Sequence, residues 1–314
     1  MNARLHRFVD WLAMWTEDRK SWAPIAFRGA DAAPLDCFGP LPPLPPPPAG
    51  AGEWRAPSPR PAHDDASMSV VVRPAAGSRR GTAILVPPWK VPRLDVVAGY
   101  ERLISDAGYE VWTVVPPRHL HRAAPGARNG EGFLSPDLVA LRAAFEQLVM
   151  ELRTLAALAR ARGGETAMIG LSMGALGAAI AATGPERIDR VALIAPPADL
   201  AASFGETRIG RRYVRLAARA GTPVAAPEQL SAMLAPFRAE ARAPTAARVF
   251  VALGREDRIA LSRGTLALAR AWGVEPRVYP RGHLTLLFAC RALRRDLAAF
   301  LAGEARGDRA AGSP

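Results

Sequence analysis

The chain has 314 residues, 49% of them hydrophobic, with 41 Lys and Arg against 29 Asp and Glu, a formal net charge of +12 and two cysteines; this excludes a wholly disordered chain and a small disulfide-stapled scaffold, and leaves room for two domains or one α/β unit with tails. Cys37 and Cys290 are too far apart for a metal-ligand pattern or a disulfide framework, so a reducing, cytoplasmic location and no metal site are expected. The charge invites a polyanion partner, but only Lys20 and Lys90 are lysines and the arginines are scattered rather than clustered among aromatics, so no nucleic acid is expected.

Residues 1–66 read as an N-terminal arm. Leu5, Phe8, Leu12 and Trp15 recur at helical spacing, with Val9 and Trp11 widening the apolar face, and predict a helix within Leu5 to Trp22. Asp10, Glu17 and Asp18 interrupt it and no small-residue cleavage site follows, so it is not read as a secretory signal. Two roles fit such a helix: packing on the main domain, or peripheral contact with a membrane surface through its tryptophans. The run from Pro40 to Pro48 favours extended polyproline geometry and is expected on the surface, outside any packed sheet or helix. Trp11, Trp15, Trp22 and Trp54 all precede residue 55, which is too many for a mere tail.

Residues 67–302 alternate regularly. Strands are expected at Ser69–Arg73, Thr82–Val86 and Glu110–Val115, with a helix from Leu94 to Ala107 between the last two, ending at Gly108. Leu138, Leu141, Phe145, Leu148, Leu152 and Leu155 step by three and four and mark a long amphipathic helix. The pattern continues with strand Ala167–Leu171, helix Gly174–Ala182 and strand Arg190–Ile194. After an excursion come strand Arg248–Leu253, helix Arg263–Trp272, strand Arg277–Tyr279 and helix Leu286–Leu301. Strand-helix alternation of this kind predicts an α/β fold with a mostly parallel central sheet. The uncharged run Thr166–Pro185 has the length of a membrane span, but its glycines and strand-like start identify a buried strand turning into a small-residue helix. Residues 303–314 are small and polar and are expected to form a disordered tail.

Gly170-Leu171-Ser172-Met173-Gly174 falls at the junction between the strand ending at Leu171 and the Ala-rich helix after it. This G-x-S-x-G pattern is that of a nucleophile elbow, in which two glycines let strand and helix approach around a strained serine. The pentapeptide alone is weak; its place on a strand-to-helix junction gives it weight. A serine hydroxyl needs a base, and His283 is the only histidine after Ser172, standing between the last strand and the last helix. The third member should be an acid on a loop after another strand. Asp257 follows Arg248–Leu253 and is the choice, with adjacent Glu256, and Asp199 after the preceding strand, as alternatives; a plain helix cap is the structural alternative for Asp257. Oxyanion donors are expected from the N–H of Met173 and, since Pro87 and Pro88 have none, from that of Trp89.

The order Ser172, Asp257, His283 on alternating strands and helices resembles the alpha/beta-hydrolase superfamily over about residues 68–302. The resemblance implies an alpha/beta-hydrolase fold with helices on both faces of the sheet and a Ser-His-Asp triad acting without metal or cofactor. Leu85-Val86-Pro87-Pro88-Trp89 resembles the corresponding loop of polyhydroxyalkanoate synthases, which carry cysteine where this chain has Ser172. Arg118-His119-Leu120-His121-Arg122, with the segment Asn129 to Asp137, is similar to a bacterial group related to the eighteenth numbered abhydrolase-domain family; those residues either organise the loop or bind a ligand.

The stretch of about 50 residues between Ile194 and Arg248 exceeds the usual connection of about 2–6 residues and is expected to hold a small helical cap, residues 200–246. Arg208, Arg211, Arg212, Arg215 and Arg219 gather in what is expected to be its first helix. With Arg118 and Arg122 they would ring the mouth above Ser172 and select an anionic small molecule; the alternative is a solvated helix face. The sequence thus points to a hydrolase of a small-molecule carboxylic ester or thioester, with an acyltransferase of the same fold and a non-catalytic binding protein as rivals.

Overall fold

In the computed structural model, residues 3–19, 27–62 and 65–304 are described. One eight-stranded sheet runs through them: β1 (Gly52–Ala62), β2 (Asp65–Arg73), β3 (Gly81–Val86), β4 (Tyr109–Val115), β5 (Glu165–Leu171), β6 (Arg190–Ile194), β7 (Arg248–Gly254) and β8 (Arg277–Tyr279). The spatial order is β1-β2-β4-β3-β5-β6-β7-β8. Strands β1 and β2, and β2 and β4, pair antiparallel; from β4 onward every pairing is parallel. The inner strands are near-continuous apolar runs because both their faces are covered.

The helices are α1 (Ala3–Arg19), α2 (Ala98–Asp106), α3 (Leu138–Ala161), α4 (Met173–Ala181), α5 (Leu200–Glu206), α6 (Arg208–Arg219), α7 (Pro227–Leu234), α8 (Ser262–Ala271), α9 (His283–Ala289) and α10 (Arg291–Ala302). Alternate strand residues feed two cores. Ile84, Val86 and Met168 join α3, α4 and α8 on one face, while Ala83, Leu85, Ala167 and Ile169 join α2, α9 and α10 on the other. The uncharged run Thr166–Pro185 is the buried pair β5 and α4, and among the described residues no helix is long and apolar enough to cross a membrane.

Three features differ from the expectations. The arm does not extend to residue 66: Gly52–Ala62 is the edge strand of the sheet, and β2 starts at Asp65. Pro57, Pro59 and Pro61 argue against a strand, yet an edge needs no complete ladder of N–H donors and tolerates proline. The last helix is two, α9 and α10, separated by Cys290 in extended conformation; apolar periodicity continues across a break that no Gly or Pro marks. The arginine-rich helix of the cap is its second, α6, because Thr207 in extended conformation ends α5 and caps the next helix by accepting from Gly210 N.

Residues 27–51 of the arm form a strap along α3. Leu35 and Cys37 are buried in the core and Leu41 and Leu44 pack against it. The strap has few backbone partners of its own, so arginines supply them: Arg153 Nη1 donates to the carbonyls of Cys37 (2.6 Å) and Gly39 (3.0 Å), and Arg162 to that of Pro47 (3.0 Å). The arm helix α1 packs against α9 and α6. His6 and Asp10 are buried on its inner side, whereas Leu5, Phe8, Trp11 and Leu12 are exposed. Trp22 and residues 305–314 of the expected tail lie outside the described residues.

Candidate active site

Two close approaches build the turn at Ser172. A Cβ at Gly170 would lie 2.4 Å from Ala175 Cα, and one at Gly174 would lie 2.4 Å from the carbonyl oxygen of Val86, so both positions require glycine. Ser172 itself sits at φ 53°, ψ −118°, a conformation that costs energy for any residue with a side chain. It ends β5, opens α4 and faces the loops at the carboxyl edge of the parallel strands.

Three side chains meet there in series. His283 Nε2 is 2.8 Å from Ser172 Oγ, and His283 Nδ1 is 2.7 Å from Asp257 Oδ2. Asp257 is held in turn, its Oδ1 accepting from the N–H groups of Ile259 and Ala260, both at 2.8 Å; it is therefore both a local cap and the partner of His283. The other candidate acid, Asp199, caps α5 by accepting from Ala202 N. Glu256 turns to Arg7 of the arm, whose Nε donates to it at 2.6 Å. Burial of the His283 ring disfavours its charged form, but the Asp257 carboxylate, with a further contribution from Asp10, outweighs this and holds its pKa above the ordinary 6.5.

Ser172 opens into a small apolar cavity of about 60 Å³, walled by Trp89, Leu134, Met173, Phe204, Ile209 and Tyr213. Met173 is the first residue of α4, where an N–H has no partner within the helix. Trp89 shares the cavity but its indole is committed, donating to the carbonyl of Gly130 at 2.9 Å.

The Trp89 loop is braced by the segment Arg118 to Gly130, a role for its residues that the sequence alone left open. His119 is fully buried, and its Nε2 accepts from Lys90 N at 3.1 Å while Nδ1 faces the carbonyl of Pro117 at 2.8 Å. Asn129 donates to the Val91 carbonyl (2.6 Å) and accepts from Leu120 N (2.8 Å). Burial, with Arg122 and Lys90 nearby, lowers the His119 pKa to about 4.

The expected ring of arginines is not formed: none of Arg118, Arg122, Arg208, Arg211 or Arg212 lines the cavity of Ser172. Arg122 is buried beneath the sheet edge, paired with Asp65 and Glu151 at 2.8 Å each and donating to the Val115 carbonyl. Arg118 and Arg122 line a separate open groove of about 760 Å³ beside β1 and β2. Arg208 and Arg211 face outward, Arg208 over the ring of Trp11 and Arg211 on the Glu206 carbonyl, and Arg212 is buried in α6. The faces of α6 explain this: Ile209, Gly210 and Tyr213 turn to the cavity, and the cations take the remaining sides.

A contact that the sequence reading missed joins the arm to this site. Asp10, fully buried, accepts from the backbone N–H groups of His283 (2.7 Å) and Leu284 (3.0 Å). Its interruption of an apolar face was visible, but nothing local named its partner.

Solved structures of low sequence identity share this architecture. An esterase from the archaeon Pyrobaculum calidifontis aligns at TM-score 0.53 and 14% identity over 96% of this chain and 94% of that one. A soluble variant of monoglyceride lipase from Saccharomyces cerevisiae gives 0.53 and 15%, over 79% and 95%. The alpha/beta hydrolase GrgF from a Penicillium species gives 0.53 and 14%, over 81% and 99%. No family model matches the sequence, and neither does any curated protein. The chain has the alpha/beta-hydrolase fold.

Proposed function

We propose that this alpha/beta-hydrolase-fold protein is a serine hydrolase of small carboxylic esters or thioesters. The observation that carries the reading is the hydrogen-bonded series Ser172–His283–Asp257, with Ser172 on the wall of an apolar cavity. The esterase and lipase among its structural neighbours support the same chemistry. The free, buried Cys37 and Cys290 agree with a reducing compartment.

In this reading Ser172 Oγ attacks the acyl carbon while His283 Nε2 takes its proton. Asp257 holds the ring with Nδ1–H toward itself and stabilises the imidazolium that forms. The N–H groups of Met173 and Trp89 donate to the oxyanion. His283 then returns the proton to the departing alkoxide or thiolate, leaving an acyl group on Ser172. Water, deprotonated by the same Nε2, attacks that ester; the acid departs as His283 returns the proton to the leaving Ser172 Oγ.

A cavity of about 60 Å³ has room for only a few waters, and no arginine lines it. Short uncharged acyl groups fit it; an anionic acyl group has no counter-ion there. The test is a p-nitrophenyl ester panel. Acetyl to butyryl esters should be hydrolysed in preference to decanoyl ones, and Ser172→Ala should lose activity by roughly 10⁶-fold. An S172A variant as active as the wild type overturns the reading. Capture of the acyl group by an added alcohol in preference to water transfers it to acyl transfer.

A further inference from the structure

The inner side of α1 touches the site at both of the loops that carry the acid and the base. Asp10 accepts from His283 N and Leu284 N, one carboxylate oxygen for each. His6 Nδ1 is 2.9 Å from Thr285 Oγ1, and Arg281 Nη1 is 3.4 Å from His6 Nε2. Arg7 pairs with Glu256, the residue before Asp257. The approach is close enough that a Cβ on Gly282 would stand 2.6 Å from Asp10 Oδ2.

These contacts have a local cause. His283 is the first residue of α9, so its N–H and that of Leu284 have no partners within the helix. Gly282, immediately before, has no side chain with which to cap them. A carboxylate from 273 residues away does so instead. The ring of His283 is thus fixed twice, at Nδ1 by Asp257 and at its backbone by Asp10.

We propose that Asp10 is a positioning residue for the general base: by holding the His283 and Leu284 backbone it sets where Nε2 stands relative to Ser172, so that the N-terminal helix completes the active site. The inference rests on the serine-hydrolase reading above. A displacement of about 1 Å at a reacting group can cost roughly a hundredfold in rate, and without Asp10 nothing in the α9 loop holds these two N–H groups. Asp10 acts electrostatically as well. The charged and titratable groups around His283 are Asp257 at Nδ1, Asp10 and His6 from α1, Arg281 before it, and the Arg7–Glu256 pair beside the acid loop. Of these, Asp257 and Asp10 favour the imidazolium.

The experiment compares the full-length wild type with Asp10→Asn, which keeps the size of the side chain but removes its charge and one acceptor. Rates are normalised to the fraction of molecules that a fluorophosphonate titrates. Neutral His283 is the active base, and its pKa is raised in the folded protein, so wild-type kcat/KM should fall as pH drops through a value above 6.5. D10N should lower kcat by roughly ten- to a hundredfold with KM little changed, and should move the acid limb to lower pH. The Nε2 resonance of His283, titrated by nitrogen NMR, should move with it. Phe8→Ser, on the exposed side of the same helix, should retain the wild-type kcat. If D10N is not recovered folded, Asp10→Ser decides, with the same loss of kcat expected. A D10N or D10S enzyme that turns over at the wild-type rate per titrated site, with an unmoved limb and only a lower Tm, overturns the inference while leaving the hydrolase reading intact. A wild type that is neither labelled nor active overturns both.

Discussion

Two buried histidines, one beneath the Trp89 loop and one against Ser172, are pushed in opposite directions. His119 lies between a carbonyl and a backbone N–H, and burial drops its pKa to about 4. His283 is as deeply buried but has the Asp257 carboxylate at Nδ1 and Asp10 behind it, and its pKa is raised. Both follow a strand, and both have one ring nitrogen fixed by an oxygen. The difference is the charge on that oxygen. Burial alone makes a neutral ring that serves as a fixed acceptor, whereas burial against a carboxylate makes a ring that can hold a proton taken from Ser172.

Removing the Asp257 carboxylate should have the largest effect on this pair of histidines. Asp257→Asn should leave His283, like His119, without a charged partner: its pKa falls, and unlike that of His119 its tautomer is no longer fixed. Activity should drop by roughly 10⁴-fold. The decisive readout is kcat measured across pH, and a D257N enzyme within tenfold of wild type would mean that another group orients the base. A smaller effect is expected on the other side. His119→Ala leaves the Lys90 N–H without its acceptor, at a cost of about 1–3 kcal/mol in stability, and loosens the loop that presents Trp89. Its rate should fall by less than the roughly 10²-fold cost of losing an oxyanion donor outright, at an unmoved acid limb. Thermal melts and pH profiles measured together separate this from an acid-base role, for which the limb would shift.

The same contrast explains what could be read in the sequence. The Ser172 side of the site is local: two glycines, a strand end and a helix start lie within five residues, and the motif together with that junction points to the elbow. The parallel strands were legible because burial on both faces leaves nearly unbroken apolar runs, as in Thr82–Val86 and Arg248–Leu253. The His283 side was half legible. Its position after the last strand pointed to it, but Asp10 lies 273 residues away and shows locally only as a charge on an apolar helix face. β1 was hidden by its prolines, which an edge strand tolerates and a sequence pattern penalises. The arginines misled for a different reason. Counting cations in α6 could not say which side of the helix each would take, and Arg122 proved to be a buried partner of Asp65 and Glu151. Part of the arginine content is internal: Arg153 and Arg162 satisfy carbonyls of the strap and Arg122 the carboxylates under the sheet edge, each of them balanced by an acidic partner.

In the proposed reaction Ser172 is the nucleophile and His283 its base. The most direct measurement is the site of covalent attachment of a fluorophosphonate, mapped by mass spectrometry of the digested full-length protein. One adduct is expected, on the peptide containing Gly170-Leu171-Ser172-Met173-Gly174, formed more slowly as pH falls below the raised pKa of His283. An adduct on any other serine, or no adduct at any pH at which the protein is folded, would contradict it.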